Sequence, residues 1–324
     1  MKKKVAIFGS TGSVGTQTLE VIRSQKDRFE LSFLLAGKNK KALEKQMREF
    51  NCQGFLNNEK CKMKNEKLRK YIKVSDIIVV AIPSEEAVYP TIQALKMGKK
   101  VLLASKEALI CEGEQIMAIK TGQLLPIDSE LSAIWQCLQG RKVEDIEKII
   151  LTASGGPFFG MKRKDLEKVT LKDALNHPTW KMGKEITINS ATLMNKGFEV
   201  IETHFLFGIP YEKIEVLIHP QSLVHGIVVL KDGNTMMHVA KNDMKIFISW
   251  ALNYPKVEEN IFEKLDLVGK KLDFFGVDNE NFPALRRCID AGKKSIFERK
   301  RILEKNKENV EKFLAGKIQF INLI

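Results

Sequence analysis

A chain of 324 residues has room for about two domains of ordinary size, and its 44% hydrophobic and 29% charged content is that of a soluble globular protein. A formal net charge of +13 fits nucleic acid, acidic lipid or anionic small molecules. Lysines and arginines alternate with Asp and Glu, as over residues 298–312, and no arginine-rich block carries interleaved aromatics, which sets nucleic acid aside and leaves a solvated surface.

The chain begins Met1-Lys2-Lys3-Lys4, the charge of a secretory leader, but only residues 5–8 are apolar before Gly9, too few for a signal core. No run approaches the roughly 18 apolar residues of a membrane span. Cys52, Cys61, Cys111, Cys137 and Cys288 share no CxxC spacing, their number is odd, and no histidine stands at zinc-finger distance. Reduced thiols in the cytoplasm, with no membrane, are the expectation.

From residue 5 to about 105, short apolar runs alternate with helical stretches. Residues 5–8, 31–36, 77–81 and 101–104 read as strands buried on both faces, with helices such as 16–23 and 41–50 between them. That alternation predicts a parallel sheet with crossover helices, a Rossmann-like domain over 1–145. Only 56–73, polar and lysine-rich, stays ambiguous. Gly9-Ser10-Thr11-Gly12-Ser13-Val14-Gly15 follows the first strand and opens the first helix. Glycines there permit a tight turn and bring backbone amides to a pyrophosphate at the helix N-terminus. A glycine-rich turn without a ligand has the same letters, but the strand–turn–helix setting favours a dinucleotide.

An NAD enzyme usually has an acidic residue at the end of the second strand, for the ribose 2′-hydroxyl. Gly37-Lys38-Asn39 stands there instead. A lysine suits a 2′-phosphate, so NADPH is the expected cofactor; a plain surface lysine is the alternative. Ser105-Lys106-Glu107 directly follows a strand, where α/β sheets place functional groups. Further on, Asp128-Ser129-Glu130 in an extended backbone would aim both carboxylates to one side and Ser129 away. Paired carboxylates without Cys or His suit a hard cation such as Mg²⁺ or Mn²⁺, although such pairs are also common on solvated loops.

After about residue 145 the rhythm changes. A strand over 149–152 runs into Ser154-Gly155-Gly156-Pro157, and a long helix is predicted over 187–207. A strand follows over 213–218, and strands over 224–230 and 235–239 flank a hairpin turn at Asp232-Gly233. This predicts a second, mixed α/β domain over 146–253, a linker over 254–280 and a helical segment over 281–324. In the long helix, Met194, Phe198, Ile201 and Phe205 form one apolar stripe. Asn195, Lys196 and Glu199 share a neighbouring polar face headed by Ser190, either a solvated surface or a third carboxylate with substrate contacts beside it. Ser154 offers a hydroxyl and free amides after a strand. Residues 177–183, with His177, Trp180 and Gly183, read as a flap over a ligand or as an anchored loop. His219 reads as a core histidine or a ligand.

Seven runs in order carry a resemblance: GSTGSVG (9–15), ASKEAL (104–109), PIDSE (126–130), ASGGPF (153–158), HPTWKMG (177–183), INSATLMNKGFEVIE (188–202) and IHPQS (218–222). They resemble the 1-deoxy-D-xylulose 5-phosphate reductoisomerase family and span most of residues 1–255. The resemblance implies that Asp128, Glu130 and Glu199 hold one Mg²⁺ or Mn²⁺. It also implies that Ser154, Ser190, Asn195 and Lys196 bind the phosphorylated sugar, with Ser129 and Lys106 beside its reacting backbone. His177 would belong to the phosphate pocket, and Trp180 with Met182 to the flap. Gly9, Ser10, Thr11, Gly12, Ser13 and Val14, then Gly37, Lys38 and Asn39, and Ser105, Glu107 and Gly183 would contact NADPH. The implied activity is metal- and NADPH-dependent conversion of 1-deoxy-D-xylulose 5-phosphate to 2-C-methyl-D-erythritol 4-phosphate, an isoprenoid precursor of the non-mevalonate route, in a homodimer.

Three features depart from the family. Leu131 stands where a histidine usually follows Asp-Ser-Glu, and 239–244 lacks the usual glycine- and proline-containing run. The tail echoes the family's Asn-Ala-Ala-Asn-Glu helix only at Asn306 and Phe313-Leu314, and is expected to be shorter than the family's bundle by a few helices. A metal-independent NADPH dehydrogenase and a non-catalytic NADPH-binding relative are the competing readings. Loss of turnover with chelator separates the first from the reductoisomerase; cofactor binding without turnover marks the second.

Overall fold

The computed structural model describes residues 1–57, 65–180, 182–259 and 262–323. The chain divides into two units, residues 1–132 with 243–263, and residues 133–242 with 264–324.

The first unit runs β1 (Lys3–Phe8), α1 (Ser13–Ser24), β2 (Phe29–Ala36), α2 (Lys40–Phe50), β3 (Gln53–Leu56), α3 (Asn65–Val74), β4 (Ile77–Val80), α4 (Val88–Lys96), β5 (Lys100–Leu103), α5 (Lys106–Met117), β6 (Gln123–Pro126) and the start of α6 (Ser129–Cys137). The strands are all parallel, in the order β3-β2-β1-β4-β5-β6. Residues 5–8 of β1 and all of β4 are buried, as unbroken apolar runs require when helices cover both faces. β3 and β6 escape the strand reading because they are the edge strands, short and only partly apolar. The strand order reverses between β1 and β4, which opens a crevice at their carboxyl ends. Of the ambiguous segment, α3 takes the second half, and 58–64 lie outside the described residues.

The second unit contains β7 (Ile146–Ala153), two one-turn helices α7 (Arg163–Leu166) and α8 (Leu171–Ala174), then α9 (Lys184–Ala191), α10 (Met194–Phe207), β8 (Ile214–Ile218), β9 (Val224–Leu230) and β10 (Thr235–Val239). Its sheet has the order β10-β9-β7-β8, with β7 and β8 parallel and β9 antiparallel to both neighbours. The expected hairpin at Asp232-Gly233 joins β9 to β10, Gly233 supplying φ 90°. The single helix expected over 187–207 is two helices. They break at Thr192-Leu193, where Leu193 adopts a left-handed conformation with φ 63°. Apolar periodicity runs straight through that break, and leucine is not a residue that announces one.

Next, α11 (Met244–Asn253) joins the first unit and packs on α1, although the sequence grouped it with the second domain. Gln25 Nε2 donates to Ser249 Oγ at 3.1 Å, and Lys100 Nζ caps the helix end on the carbonyls of Ala251, Leu252 and Tyr254 at 2.9, 3.2 and 2.7 Å. Over 254–280 the described residues hold no helix or ladder strand, but Phe275 exchanges two 2.8 Å backbone hydrogen bonds with Ile218 of β8. The tail forms α12 (Ala284–Lys294) and α13 (Ile296–Leu314), which belong to the second unit. Leu193, Ile188, Leu285, Val310 and Phe313 share one apolar core there. Gly197 lets α10 approach α12: a Cβ on it would stand 2.5 Å from Cys288 Cβ.

Candidate active site

In the first unit the turn after β1 is possible only with glycine. Gly9 has φ 98°, and a Cβ there would lie 2.1 Å from the Ala81 carbonyl oxygen; one on Gly15 would lie 2.2 Å from that of Gly9. No side chain caps α1 at Gly12 and no acidic residue occupies its first turn. The positive end of the helix is therefore uncompensated, which suits a pyrophosphate. Ser10 differs from its neighbours, because its hydroxyl is buried and its N–H is given to the Leu35 carbonyl at 2.9 Å. Thr11, Gly12, Ser13 and Val14 form the outer part of the turn. At the end of β2, Gly37 and Lys38 are exposed, while Asn39 caps α2 through a 3.0 Å bond from the Ala42 N–H.

The ends of β5 and β6 bring further groups together. Ser105 is buried and donates its hydroxyl to the Ile82 carbonyl at 2.6 Å, which fixes the start of α5. From the first turn of that helix Lys106 Nζ lies 2.6 Å from Asp128 Oδ2, with Glu107 half-buried beside it. The Asp128-Ser129-Glu130 run is not extended, as the spacing argument assumed. α6 starts at Ser129, and the Asp128 carbonyl already accepts from the Ser132 N–H at 2.9 Å. Ser129 consequently does not point away; its hydroxyl donates to Glu130 Oε2. Burial pushes the Asp128 carboxyl above its ordinary range, Lys106 pulls it back, and the Glu130 charge adds to the rise. Leu131, next in the helix, is fully buried.

The second unit forms two polar groups on either side of the α9–α10 break. In the first, His177 Nδ1 accepts from the N–H groups of Thr179 and Trp180 at 3.2 and 3.0 Å. That assigns the ring proton to Nε2, which lies 3.0 Å from Ser154 Oγ and 3.1 Å from Ser190 Oγ. Burial lowers the histidine's pKa, so the ring is a neutral donor between two hydroxyls. The turn carrying Ser154 can reach Ser190 because of Gly156: a Cβ there would stand 3.0 Å from Ala191 Cα. Gly183 starts α9, its carbonyl accepting from Thr187.

In the second group, Glu199 receives hydrogen bonds from Lys196 Nζ at 2.6 Å and Asn195 Nδ2 at 2.5 Å. The Lys196 and Glu199 side chains are 5% and 1% exposed, so the face is not a solvated one. A buried ion pair of this kind is no better for stability than apolar side chains of equal volume. Stability therefore gives no reason for it.

His219 is a core histidine. It is fully buried, stacks on Phe274 at 4.7 Å, gives Nδ1 to the Asp273 carbonyl at 2.8 Å and accepts from the Leu223 N–H at 3.1 Å. Trp180, half-buried, sets its ring edge-on to His225 at 6.1 Å. Sequence reasoning missed His225 and the buried amide pair Asn189–Asn306, whose Nδ2 and Oδ1 atoms lie 2.9 Å apart. Neither is marked by spacing, because each partner lies far away in the chain.

The comparisons with known proteins take in both units. The family model for 1-deoxy-D-xylulose 5-phosphate reductoisomerase matches residues 5–113, and the model for the C-terminal domain of that enzyme matches 124–207. A third, for a DXP reductoisomerase C-terminal domain, matches 239–324 and so takes in α12 and α13, beyond the quoted motifs. The 1-deoxy-D-xylulose 5-phosphate reductoisomerase of Clostridium acetobutylicum is 43% identical over 345 residues, covering 99% of this chain and 90% of its own. That of Persephonella marina is 43% identical over 327 residues, covering 98% and 87%. Among solved structures, a DOX-P reductoisomerase in complex with NADPH, fosmidomycin and magnesium superposes with a TM-score of 0.92 at 31% identity, covering 99% of this chain and 87% of that one. The Zymomonas mobilis enzyme in complex with NADPH gives 0.91 at 32%, covering 100% and 89%. On these matches the chain belongs to the 1-deoxy-D-xylulose 5-phosphate reductoisomerase family.

Proposed function

We propose that this chain converts 1-deoxy-D-xylulose 5-phosphate to 2-C-methyl-D-erythritol 4-phosphate with NADPH and a divalent cation, Mg²⁺ or Mn²⁺. The observation that carries the reading is the buried Glu199, held by Asn195 and Lys196 in a pairing that stability does not require. The family match and the NADPH and magnesium of the solved relatives support it.

The residues present fit both groups. For the cofactor, the turn at Gly9 and Gly15 has no room for a Cβ, and α1 begins without a side-chain cap. Thr11, Gly12, Ser13 and Val14 would hold the pyrophosphate, Lys38 the 2′-phosphate, and Ser105, Glu107 and Gly183 would complete the contacts. For the cation, Asp128, Glu130 and Glu199 would each offer carboxylate oxygens, the donor chemistry of a hard ion. In both places a lysine ammonium already pairs with a ligand carboxylate, Lys106 with Asp128 and Lys196 with Glu199. When bound, the cation supplies Lewis-acid stabilisation of negative charge on the substrate oxygens, and NADPH supplies the hydride.

The chain's own residues do the rest. The neutral His177 N–H and the hydroxyls of Ser154 and Ser190 form a donor cluster for the phosphate, with Asn195 and Lys196 on the adjoining helix. Phosphate contacts remote from the reacting carbons orient the sugar without taking part in bond changes. Lys106 and Ser129 would stand beside the sugar backbone, where a fixed ammonium favours charge developing on oxygen. Trp180 and Met182, on the loop before α9, would exclude water from the reactive aldehyde.

As part of the same reading the protein acts as a homodimer in the cytoplasm. Among the described residues no helix is long and apolar enough to cross a membrane, and sedimentation at micromolar concentration tests the dimer. The activity test follows NADPH absorbance with 1-deoxy-D-xylulose 5-phosphate, with Mg²⁺ or Mn²⁺ and with chelator. Oxidation that stops on chelation is expected. Chelator-resistant oxidation would point to a simple dehydrogenase, and cofactor binding without oxidation to a non-catalytic relative.

A further inference from the structure

Asn306 is the one residue of the tail, besides Phe313-Leu314, that the sequence singled out, and the proposed reaction leaves it without a task. It sits in α13, buried, and donates from Nδ2 to Asn189 Oδ1 at 2.9 Å. Asn189 is itself buried in the last turn of α9, immediately before Ser190. Its backbone carbonyl accepts from the Thr192 hydroxyl at 3.2 Å, and Thr192 Oγ1 in turn accepts from the Met194 N–H at 3.3 Å. A line of hydrogen bonds thus runs from α13, across the end of α9, to the first residue of α10.

That line crosses the strained point of the unit. Leu193 at φ 63° costs about 1–2 kcal/mol relative to a right-handed residue. Such a conformation persists only where its surroundings hold it in place. The Leu193 side chain lies in the apolar core, but packing restrains it less directionally than hydrogen bonds to the residues on both sides. Ser190 precedes the break and Asn195, Lys196 and Glu199 follow it, so the break sets their separation and relative aim. Displacing such groups by about 1 Å costs up to 10²-fold in rate or binding.

We propose that Asn306, acting through Asn189, is a positioning residue that fixes the α9–α10 break and with it the phosphate-binding arrangement of Ser190, Asn195 and Lys196. The proposal rests on the function proposed above for those residues. It gives the tail a task in substrate binding that a purely scaffolding helix would not have.

The test compares Asn306→Ala with Val310→Ala, which trims the same helix one turn on in the apolar core and keeps both partners of the Asn189–Asn306 hydrogen bond. Expected for Asn306→Ala is a KM for 1-deoxy-D-xylulose 5-phosphate raised about tenfold, with kcat within about threefold and NADPH affinity unchanged. Val310→Ala should lower the melting temperature and leave KM alone. Asn189→Ala breaks the same bond from the other end and should match Asn306→Ala, the double variant adding nothing further. Hydrogen-exchange mass spectrometry on peptides covering 187–199 should show about tenfold faster exchange in Asn306→Ala and no change in Val310→Ala. An unchanged KM, or a KM that rises equally in Val310→Ala, overturns the proposal. Should the wild-type protein not turn over the substrate, the functional reading fails by itself. Hydrogen exchange then decides the relay alone: faster exchange confined to the asparagine variants upholds it, and equal exchange overturns it.

Discussion

In the first unit every candidate group stands in the residues just after a strand: 9–14 after β1, 37–39 after β2, 105–107 after β5 and 128–130 after β6. In the second only Ser154 does. His177 comes from a loop, while Ser190, Asn195, Lys196 and Glu199 come from two helices joined by a strained leucine. A parallel ladder fixes where strand ends lie, so the first arrangement depends mainly on backbone geometry. The second depends on side-chain hydrogen bonds between residues far apart in the chain, Asn189 to Asn306 and Ser154 to His177 among them. The placement of the first unit's groups should accordingly survive trimming of neighbouring side chains and fail on backbone change, and that of the second the reverse.

The largest expected effect tests the backbone half of that contrast. Gly9→Ala would put a Cβ 2.1 Å from a carbonyl oxygen at φ 98° and should cost about 4 kcal/mol or more, seen as a lower urea midpoint and lost NADPH binding. Gly37→Ala, where nothing lies within 4 Å of the added carbon, should change stability by less than about 0.5 kcal/mol. Equal effects from the two would mean that the ladder does not set this turn. Next comes the side-chain half. Glu199→Gln should reduce turnover about 10³-fold, equivalent to about 4 kcal/mol, while NADPH affinity stays within about twofold. Parallel loss of cofactor binding in a fluorescence titration would refute the assignment of cofactor and cation chemistry to separate elements.

Acid should separate the units as well. All five histidines lie in the second. Burial lowers His225 and His238 to about 4, each also feeling the other or a nearby cationic group. Unfolded, both titrate near 6.5. Between those values the unfolded chain binds more protons, so stability falls as pH drops from about 6.5 towards 4, by roughly 3 kcal/mol for His225. Hydrogen exchange at pH 5 should therefore accelerate in β9 and β10 more than in β1 and β4. His238→Gln should make the dependence shallower, and an equal response in both sheets would count against it.

The same contrast explains what could be read beforehand. The Rossmann-like order, the glycine turn and the Asp-Gly hairpin are local signals, written within a few residues. The extended reading of Asp128-Ser129-Glu130 failed because Asp and Ser there serve as a helix start, which alternation along a strand cannot reveal. The helix over 187–207 hid its break because the buried stripe continues on both sides. Whether the Asn195–Glu199 face was solvated or buried depended on how α10 packs, and no spacing encodes that. The place of α11 on α1 was equally invisible, being decided by contacts such as Gln25 to Ser249.

The smallest expected effect compares two left-handed helix ends, one per unit. Asn51 ends α2 at φ 48° and is exposed; Leu193 stands at φ 63° and is buried. Asparagine tolerates this region through its short polar side chain, and glycine does so at no steric cost. Asn51→Gly should therefore gain at most about 0.5 kcal/mol, part of the strain relief being cancelled by the freer unfolded chain. Leu193→Gly relieves about 1 kcal/mol of strain but removes a core side chain worth about 2–3 kcal/mol, for a net loss of about 1–2 kcal/mol. Both substitutions relieve backbone strain, yet they should move thermal midpoints in opposite directions. A gain at Leu193 would show that strain, and not packing, dominates the α9–α10 break. The leucine would then be kept for the aim of the groups on either side of it, at a cost in stability.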